Sequence, residues 1–415
     1  MSSEDNSEYL RDLLEKREAL KDVMKRNFPG KFRILEIGLA ARAILEIMGI
    51  TLPFMIVILA PPSSGKSTVL ILIELLPNAY SLDSFTTSAL QSHYASKKKG
   101  DLKRDDILTK IKDKIFLTPD LAPLFSTRDE DLGATIGRLT RLLDGKGLKT
   151  SSGVHGERDS GPVFFVWIGA AVEVSKNIWN LISKMGPKMF FLRITLDLTY
   201  KEEQEKIMEN MMSKEEYEAK IDEVKEKLLE YWNAVTSFPV QENGKMIWDK
   251  SKESSDVMLM IVQRAQLLAR LRGYVPTDHT TGTGGTNYGF LEPTIEDPER
   301  AARYLYNLVR GFALCQGRNY IIKDDISIVR QIVMSSASKE RIELLKLLIA
   351  NNGEVTVTQL MEARGITRST ALRTMKLLEV VGLVDEISVP GTTKDFTAIR
   401  LKDHFRWILE DRQNE

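Results

Sequence analysis

A run of ten residues, LAPPSSGKST (59–68), combines the residue types that hold a phosphate chain. The general template is a glycine, four variable residues and then Gly-Lys-Ser/Thr. Gly65, Lys66 and Ser67 match the end of that template, whereas Ala60 occupies the position of its first glycine. In such a loop the backbone N–H groups surround the phosphates, the lysine reaches the β- and γ-phosphates, and the hydroxyl binds Mg²⁺. These residues therefore predict binding of ATP with Mg²⁺.

Two apolar segments must position this loop. The segment FMIVILA (54–60) precedes it and STVLILIELL (67–76) follows it. Their lengths and patterns predict a buried strand before the loop and a buried helix after it. The helix would add the positive end of its dipole to the phosphate site. The alternative is an ordinary strand–turn–helix unit in which Gly-Lys-Ser occurs by chance. The predicted phosphate-binding residues are Pro62, Ser63, Ser64, Gly65, Lys66, Ser67 and Thr68.

A nucleotide site also needs an acidic group at the end of a second strand, to hold the metal or activate water. The segment KIFLTPDLAPLF (114–125) places Asp120 after an apolar run. Pro119 precedes this residue and Leu121 follows it, so only one carboxylate is present. We expect Asp120 to bind Mg²⁺ together with Ser67. The alternative is that Asp120 only caps a helix.

Composition limits the classes of protein to which the chain can belong. The 415 residues include 58 Lys and Arg and 58 Asp and Glu, so the formal net charge is zero. Any contact with nucleic acid must therefore use a local basic patch. Cys315 is the only cysteine, which excludes disulfide frameworks and cysteine-rich zinc sites. The polar N-terminus is unlike a signal peptide, and the longest apolar stretch, 47–62, is too short for a membrane span. We expect a soluble, cytoplasmic protein with no membrane partner.

The pattern along the chain predicts four regions. Residues 1–50 are predicted as an N-terminal helical region, and residues 51–200 as an α/β core of alternating strands and helices. Residues 201–335 are predicted as a helical lid region, which contains a Gly/Thr-rich loop at 277–293. Residues 336–415 are predicted as a separate small domain.

The last region has the pattern helix, short helix, turn, helix and hairpin. Gly365 lies at the predicted turn, and Thr367 can cap the helix that follows. This order is typical of a winged-helix domain, in which one helix enters the major groove of DNA. The alternative is a winged helix that contacts protein, because acidic residues dilute its charge. The residues predicted to bind DNA here are Arg368, Arg373, Lys376 and Lys394.

The order of segments resembles the ATPase core of the minichromosome maintenance (MCM) helicases, which belong to the AAA+ superfamily. The likeness extends from Leu59 to the end of the chain. It includes a helix after Asp120, DLGATIGRLTRLLDG, and a segment similar to a hairpin and sensor strand, KGLKTSSGVHGERDSGPVFFVWIGAAV. The segment ISKMGPKMFFLRI resembles the arginine-finger stretch, and EDPERAARYLYNLVRGFALCQGRNYIIKDDISIV resembles the lid helices.

The resemblance implies roles for individual residues. Lys149 falls where family members place a hairpin lysine that tracks DNA. Lys184 and Lys188 fall in the arginine-finger stretch, and Arg303 falls at the second-sensor position. A hexameric ring is also implied, in which a neighbouring subunit completes each nucleotide site. The alternative for Arg303 is an ion pair with Glu299, one helical turn back.

The sequence also departs from the family. Ala60 replaces a glycine, Asp120 stands without a following acid, and the sensor strand ends in GAAV with no polar residue. Lysines stand where the finger arginine belongs, and a lysine lacks the planar fork that grips a phosphate. Nucleotide binding is therefore better supported than fast hydrolysis.

The expected fold is an α/β AAA+ P-loop ATPase core with a helical lid, followed by a small C-terminal winged-helix domain. The expected function is that of an ATP-dependent, DNA-translocating ring ATPase, an MCM-like replicative helicase. The alternative is an ATP-switched DNA-binding regulator or replication initiator without motor activity. A basic cluster is either a further DNA contact or a solvated loop: Lys97, Lys98, Lys99, Lys103 and Arg104.

Overall fold

A computed structural model describes residues 3–91, 101, 105–125, 129–152, 156–186, 188–194, 204, 207, 208, 211, 213–282, 285–390 and 396–410. The chain divides into two compact units. The first unit is Met1–Val174, Lys188–Met258 and Tyr304–Val329, and the second is Ser175–Pro187, Leu259–Arg303 and Arg330–Glu415. The domain bounds expected from the sequence pattern remain predictions.

The described elements alternate between helices and strands over the first half of the chain. The helices are α1 (Ser3–Asn27), α2 (Phe32–Ala43), α3 (Lys66–Glu74), α4 (Ile107–Ile111), α5 (Ala122–Phe125), α6 (Asp129–Leu143), α7 (Lys176–Met185), α8 (Lys214–Thr236), α9 (Ser255–Arg272), α10 (Pro298–Cys315), α11 (Ile326–Ser335), α12 (Lys339–Ala350), α13 (Val357–Arg364), α14 (Arg368–Val380) and α15 (Trp407–Glu410). The strands are β1 (Phe54–Leu59), β2 (Ala79–Ser81), β3 (Ile115–Thr118), β4 (Lys149–Ser152), β5 (Gly156–Asp159), β6 (Val166–Ala171), β7 (Phe190–Arg193), β8 (Gln241–Glu242), β9 (Lys245–Met246), β10 (Thr277–Gly282), β11 (Gly285–Phe290), β12 (Glu354–Thr356), β13 (Val384–Val389) and β14 (Phe396–Leu401). None of these helices, within the residues described, is long and apolar enough to cross a membrane.

Five strands of the first unit form one sheet in the order β2-β3-β6-β1-β7, and every neighbouring pair is parallel. All residues of β1, β3 and β6 are buried, which explains why their sequences are continuous apolar runs. The strand–loop–helix unit predicted for residues 54–76 is present as β1, the phosphate loop and α3. The α/β prediction is therefore confirmed, because a parallel central sheet between helices fits a P-loop ATPase-like fold.

The N-terminal helices pack around the phosphate-loop helix. Helix α1 lies along α8, and α2 packs on α3 and on β6. The α2–α3 approach is so close that a Cβ added to Gly38 would overlap Ile73. Glu36 of α2 is buried and accepts hydrogen bonds from Arg17 of α1 at 2.5 Å and from Arg33 at 2.6 Å. The first two helices are thus part of the first unit, and α2 packs against the later part of α3.

The C-terminal part of the second unit contains α12, α13, α14 and a three-stranded antiparallel sheet in the order β12-β14-β13. Gly365 ends α13 in the left-handed region, with a φ of +61°. The hydroxyl of Thr367 accepts a hydrogen bond from the backbone N–H of Thr370 at 3.4 Å and so caps α14. Both local predictions, the turn at Gly365 and the cap at Thr367, are confirmed.

The Gly/Thr-rich segment at 277–293 was predicted as a loop, and this prediction is wrong for most of its length. Residues 277–282 and 285–290 pair as the antiparallel strands β10 and β11, with Thr277 opposite Phe290. The β-branched threonines favour extended backbone. The glycines among them give the segment the composition of a loop.

Candidate functional site

The carboxyl ends of β1, β3, β6 and β7 meet at one edge of the sheet, which is the edge where open α/β folds bind ligands. The phosphate loop leaves β1 there, Asp120 follows β3, Glu173 follows β6, and Arg193 ends β7. The strand register fixes this proximity, because Leu59 pairs with Ala171 on one side and with Arg193 on the other. The structure thus brings together the predicted phosphate loop, the predicted acid and two charged residues that sequence reasoning missed.

The phosphate loop is a tight turn between β1 and α3. The backbone N–H of Ser64 donates to the carbonyl oxygen of Pro61 at 3.3 Å, which closes the turn. Ser63 and Gly65 both have positive φ values, of 60° and 79°. A left-handed backbone is costly for residues other than glycine, so the strain at Ser63 marks a loop that the surrounding structure holds in place.

Lys66 begins α3, and its side chain folds back over the loop. Its Nζ donates to the carbonyl oxygens of Ala60 and Pro61, each at 3.4 Å. The first N–H groups of an α-helix have no partner within the helix, and the helix dipole gives them a partial positive charge. An anion that enters the loop would meet these N–H groups and the Lys66 ammonium together.

The predicted metal ligands are compatible with Mg²⁺. Ser67 offers a hydroxyl, and Asp120 offers a carboxylate of which one oxygen, Oδ1, accepts from the N–H of Ala122 at 2.8 Å. Asp120 therefore does cap the short helix α5, as the alternative required, and its second oxygen can serve a cation. Mg²⁺ commonly takes one or two protein oxygens and completes its shell with phosphates and water. Within the described part of the chain, no three His, Cys, Asp or Glu side chains could hold a metal by themselves.

A buried hydroxyl in the loop also fits a ligand. The Ser64 side chain is buried, and its Oγ has no hydrogen-bond partner among the described residues. Buried polar atoms are nearly always hydrogen-bonded in proteins. An incoming phosphate or its water shell would supply the missing partner.

A glycine on β6 sets the position of the acid. A Cβ added to Gly169 would lie 2.9 Å from Cγ of Leu121, closer than real contacts allow. The backbone N–H of Leu121 donates to the carbonyl oxygen of Ala170 at 2.8 Å. Leu121, which follows Asp120, therefore packs directly against β6. Strand β6 neighbours β1, the strand from which the phosphate loop leaves.

Glu173 and Arg193 form an ion pair at the same edge. The Nη1 of Arg193 donates to both carboxylate oxygens of Glu173, at 3.1 and 3.3 Å. Glu173 is 57% exposed, whereas Arg193 is 18% exposed. The Nη2 of Arg193 is buried and has no partner within the described ranges. A carboxylate here can accept a proton from water, and the guanidinium can hold that carboxylate or an anion.

Lys149 lies at the base of the β4–β5 hairpin, opposite Asp159. Its side chain is half exposed, and its ammonium lies 3.2 Å from the carboxylate of Glu157. The hairpin is anchored by a buried ion pair of 2.5 Å between Arg158 of β5 and Asp106, which precedes α4. Lys149 is thus accessible to solvent, lies on a hairpin that the Arg158–Asp106 pair anchors, and has Glu157 as an acidic partner.

Two of the cations expected from the resemblance, Lys188 and Arg303, have acidic partners in the structure. Lys188 is buried, and its Nζ lies 3.1 Å from the carboxylate of Asp144 in the same chain. A reach into a neighbouring site would require this buried pair to break, and the role of Lys188 remains a prediction. Arg303, in the second unit, is exposed and pairs with Glu299, which is the structural alternative. The side chain of Lys184 lies outside the described residues.

The helix α14 carries the predicted DNA-binding residues of the second unit. Arg368 is exposed at its first position, and Arg373 is half-buried. Lys376 lies 2.8 Å from the carboxylate of Glu379 and 3.9 Å from that of Glu386. Glu379 and Glu386 therefore neutralise the positive charge of Lys376 on this part of α14. Other predicted or candidate DNA contacts lie outside the described residues: Lys394, Lys97, Lys98, Lys99, Lys103 and Arg104.

Three residues at the site were missed from the sequence: Lys31, Glu173 and Arg193. Lys31 donates through Nζ to the carbonyl oxygen of Ser64 at 2.5 Å, although it precedes that residue by 33 positions. Glu173 stands two residues beyond the end of β6, directly after the GAAV ending of the apolar segment. No spacing rule links these residues to the loop. Of the three, only Glu173 could have been predicted, because an acidic residue just beyond a predicted strand is typical of a nucleotide site.

No family model matches the sequence, and no curated protein matches it. Solved structures give distant similarities. An MCM homolog from Methanopyrus kandleri is 12% identical with a TM-score of 0.41, over 80% of this chain and 61% of that protein. A candidate ATPase from Cytophaga hutchinsonii is 11% identical with a TM-score of 0.38, over 88% of this chain and 96% of that one. The SCCmec type IV Cch helicase is 11% identical with a TM-score of 0.37, over 95% and 71%. These similarities are too distant to assign a function.

The loop geometry predicts the effect of replacing Lys66 by alanine. The variant should fold normally and bind ATP with about 10- to 150-fold lower affinity, because charge-assisted hydrogen bonds contribute about 1.5–3 kcal/mol. Isothermal titration calorimetry with Mg·ATP measures the change. Lys25→Ala, at an exposed lysine of α1, is the matched control. An unchanged affinity in a folded Lys66→Ala protein would show that the loop does not bind phosphate.

Proposed function

We propose that this protein is an ATP-hydrolysing P-loop enzyme that acts on DNA, as an MCM-like translocating ATPase. The observation that carries the proposal is the convergence at one sheet edge of the phosphate loop, the carboxylate of Asp120 and the Glu173–Arg193 pair. An ordinary strand–turn–helix would not need a strained residue in the turn, a buried hydroxyl without a partner among the described residues, and two carboxylates at the same sheet edge.

Each residue of the site has a distinct task in this proposal. The loop N–H groups and Lys66 bind the phosphate chain. Ser67 and Asp120 would hold Mg²⁺, which would neutralise charge on the phosphates. Glu173 orients the attacking water and accepts its proton, and Arg193 holds the carboxylate in place. Glu173 thus takes the task of the second acid that is absent after Asp120.

The β4–β5 hairpin supports a coupling between ATP and DNA. The hairpin directly precedes β6, the strand that lies between the phosphate-loop strand and the strand that leads to Asp120. A shift of β6 with the state of the nucleotide would move the hairpin, because only residues 160–165 separate the end of β5 from the start of β6. Lys149 is the exposed cation that this movement would carry along a DNA backbone.

The C-terminal part of the second unit is proposed as a winged-helix DNA-binding domain. Its element order is helix α12, strand β12, helices α13 and α14, and then strands β13 and β14. The last two strands pair with each other, and β12 joins their edge. Helix α14 would enter the major groove, with Arg368 at its exposed start.

Three observations favour a second candidate function, an ATP-switched DNA-binding regulator or initiator without motor activity. Lys188 is buried in an ion pair, Arg303 is paired with Glu299, and Lys149 lies at the base of its hairpin beside Glu157. Each residue has an acidic partner in its own chain, so none needs a neighbouring subunit. A ring with shared sites is required for the motor but not for the switch.

Hydrolysis should depend on Glu173. Glu173→Gln keeps the size of the side chain but removes its ability to accept a proton, so ATP turnover should fall about 10²- to 10⁴-fold. The affinity for Mg·ATP should not change. Phosphate release under single-turnover conditions measures the first effect and calorimetry the second. Glu15→Gln on the exposed face of α1 is the control. Wild-type turnover in Glu173→Gln would remove this residue from the reaction.

The motor is tested by ATP turnover and strand separation on a forked DNA duplex. Lys149→Ala should leave ATP affinity unchanged, abolish DNA-stimulated turnover and reduce the salt slope of DNA binding by about one phosphate contact. Lys225→Ala on α8 removes an exposed charge of the same sign and should have no effect.

The two candidate functions give different results for the wild-type protein. Strand separation that requires ATP supports the motor. ATP-dependent DNA binding without strand separation, in a protein that remains monomeric by light scattering with nucleotide and DNA, supports the switch and rules out the ring motor.

A further inference from the structure

A second lysine touches the phosphate loop from outside the motif. Lys31 lies in the turn between α1 and α2, and its Nζ donates to the carbonyl oxygen of Ser64 at 2.5 Å. Its side chain is buried, with 8% of the residue exposed. Burying an ammonium is costly unless hydrogen bonds compensate for the lost water. A lysine held in such a place therefore has a role that an apolar side chain could not fill.

The direction of the hydrogen bond defines that role. No peptide bond in the described chain is cis, and in a trans peptide the carbonyl and the N–H point in opposite directions. The carbonyl of Ser64 points at Lys31, so the N–H of Gly65 points away from Lys31. Lys31 thus fixes the orientation of the one peptide that joins the loop to α3.

The space around Gly65 supports the same conclusion. A Cβ on Gly65 would lie 2.6 Å from Nζ of Lys31 and closer still to its Cε. Gly65 also adopts a φ of +79°, which other residues avoid. Glycine is therefore required here both by the backbone conformation and by the presence of the lysine.

The turn that carries Lys31 is itself tied to α3. Phe28 is buried in this turn and meets Tyr217 of α8 edge to face, with ring centroids 6.0 Å apart. The hydroxyl of Tyr217 lies 3.1 Å from the hydroxyl of Thr68 in the first turn of α3. The turn between α1 and α2 is thus linked to the first turn of α3 through Phe28 and Tyr217, in addition to the hydrogen bond of Lys31. This second link fixes the position of Lys31.

We propose that Lys31 is a positioning residue for the phosphate loop: it holds the Ser64–Gly65 peptide with its N–H directed at the bound phosphates. This inference rests on the proposed nucleotide site and extends it to a residue outside the motif. Lys66 binds the loop carbonyls at Ala60 and Pro61, whereas Lys31 binds the carbonyl at Ser64. The two ammonium groups therefore hold opposite ends of one loop, and only Lys66 is free to exchange a carbonyl for a phosphate.

The test compares nucleotide affinities of wild type, Lys31→Met, Lys66→Ala and the control Lys25→Met by calorimetry. Lys31→Met keeps most of the aliphatic stem and removes the ammonium. We expect its affinity to fall about tenfold for both ADP and ATP, because loop N–H groups surround the α- and β-phosphates that both nucleotides share. A greater loss for ATP than for ADP would show a direct contact with the γ-phosphate and overturn the positioning role.

Chemical rescue distinguishes an effect of Lys31 on the orientation of the loop peptide from an effect on the stability of the whole protein. In Lys31→Ala, added ethylammonium can enter the vacated space and donate to the Ser64 carbonyl, so it should restore most of the lost affinity. Tetramethylammonium carries the same charge but has no N–H group, and it should restore nothing. Equal behaviour of the two cations would contradict the proposal.

A double-mutant cycle with Gly65→Ala gives an independent readout. The added methyl group displaces Lys31, so the losses from Lys31→Met and Gly65→Ala should be less than additive. Additive losses would show that the two residues act separately. If wild type binds no nucleotide, the proposed function fails. If wild type binds, Lys66→Ala weakens binding and Lys31→Met does not, then only the role of Lys31 fails.

Discussion

The proposed phosphate site depends on the peptide between Ser64 and Gly65. Backbone N–H groups are useful to a phosphate only if they remain without protein partners and point in one direction. A short loop left to itself would turn such groups to water or to its own carbonyls. Here the carbonyl side of the loop is occupied by two lysines, and the left-handed residues Ser63 and Gly65 fix the turn. The strained backbone at Ser63 and the burial of the Lys31 ammonium both cost free energy. In the proposed site, that cost keeps the N–H groups of the loop available to a phosphate.

The charges that would serve DNA are arranged differently from those at the loop. At the loop, the Lys66 ammonium faces neutral carbonyls and can respond to an anion. On the β4–β5 hairpin and on α14, Lys149 and Lys376 face carboxylates. Exposed ion pairs of this kind contribute little to stability, but they lower the local positive potential that attracts DNA. The chain has a net charge of zero, so a contact with DNA in the proposed function would depend on these local cations.

Much of the local structure followed from the sequence, because each local feature depends on neighbouring residues. The β1–loop–α3 unit, the left-handed Gly365 and the cap at Thr367 all arise from residues within a few positions of one another. The sequence pattern failed at β10 and β11, because their threonines and glycines give the segment the composition of a loop.

The support of the site could not be predicted, because it comes from distant parts of the chain. Lys31 precedes Ser64 by 33 positions, and Tyr217 follows Thr68 by 149. Nothing in the spacing of such residues indicates that they meet. The acidic partners of Lys188 and Lys149 were also unforeseen, since burial and pairing are properties of the folded chain.

Backbone hydrogen exchange tests the central claim most directly, since the proposed ligands are mainly N–H groups. Exchange is measured by mass spectrometry for the full chain alone, with Mg·ADP and with Mg·ATP. The account predicts that nucleotide slows exchange in the segment 61–68, with smaller changes in the segments that contain Asp120 and Glu173. Unchanged exchange in 61–68 at saturating nucleotide, or protection confined to other parts of the chain, would contradict it.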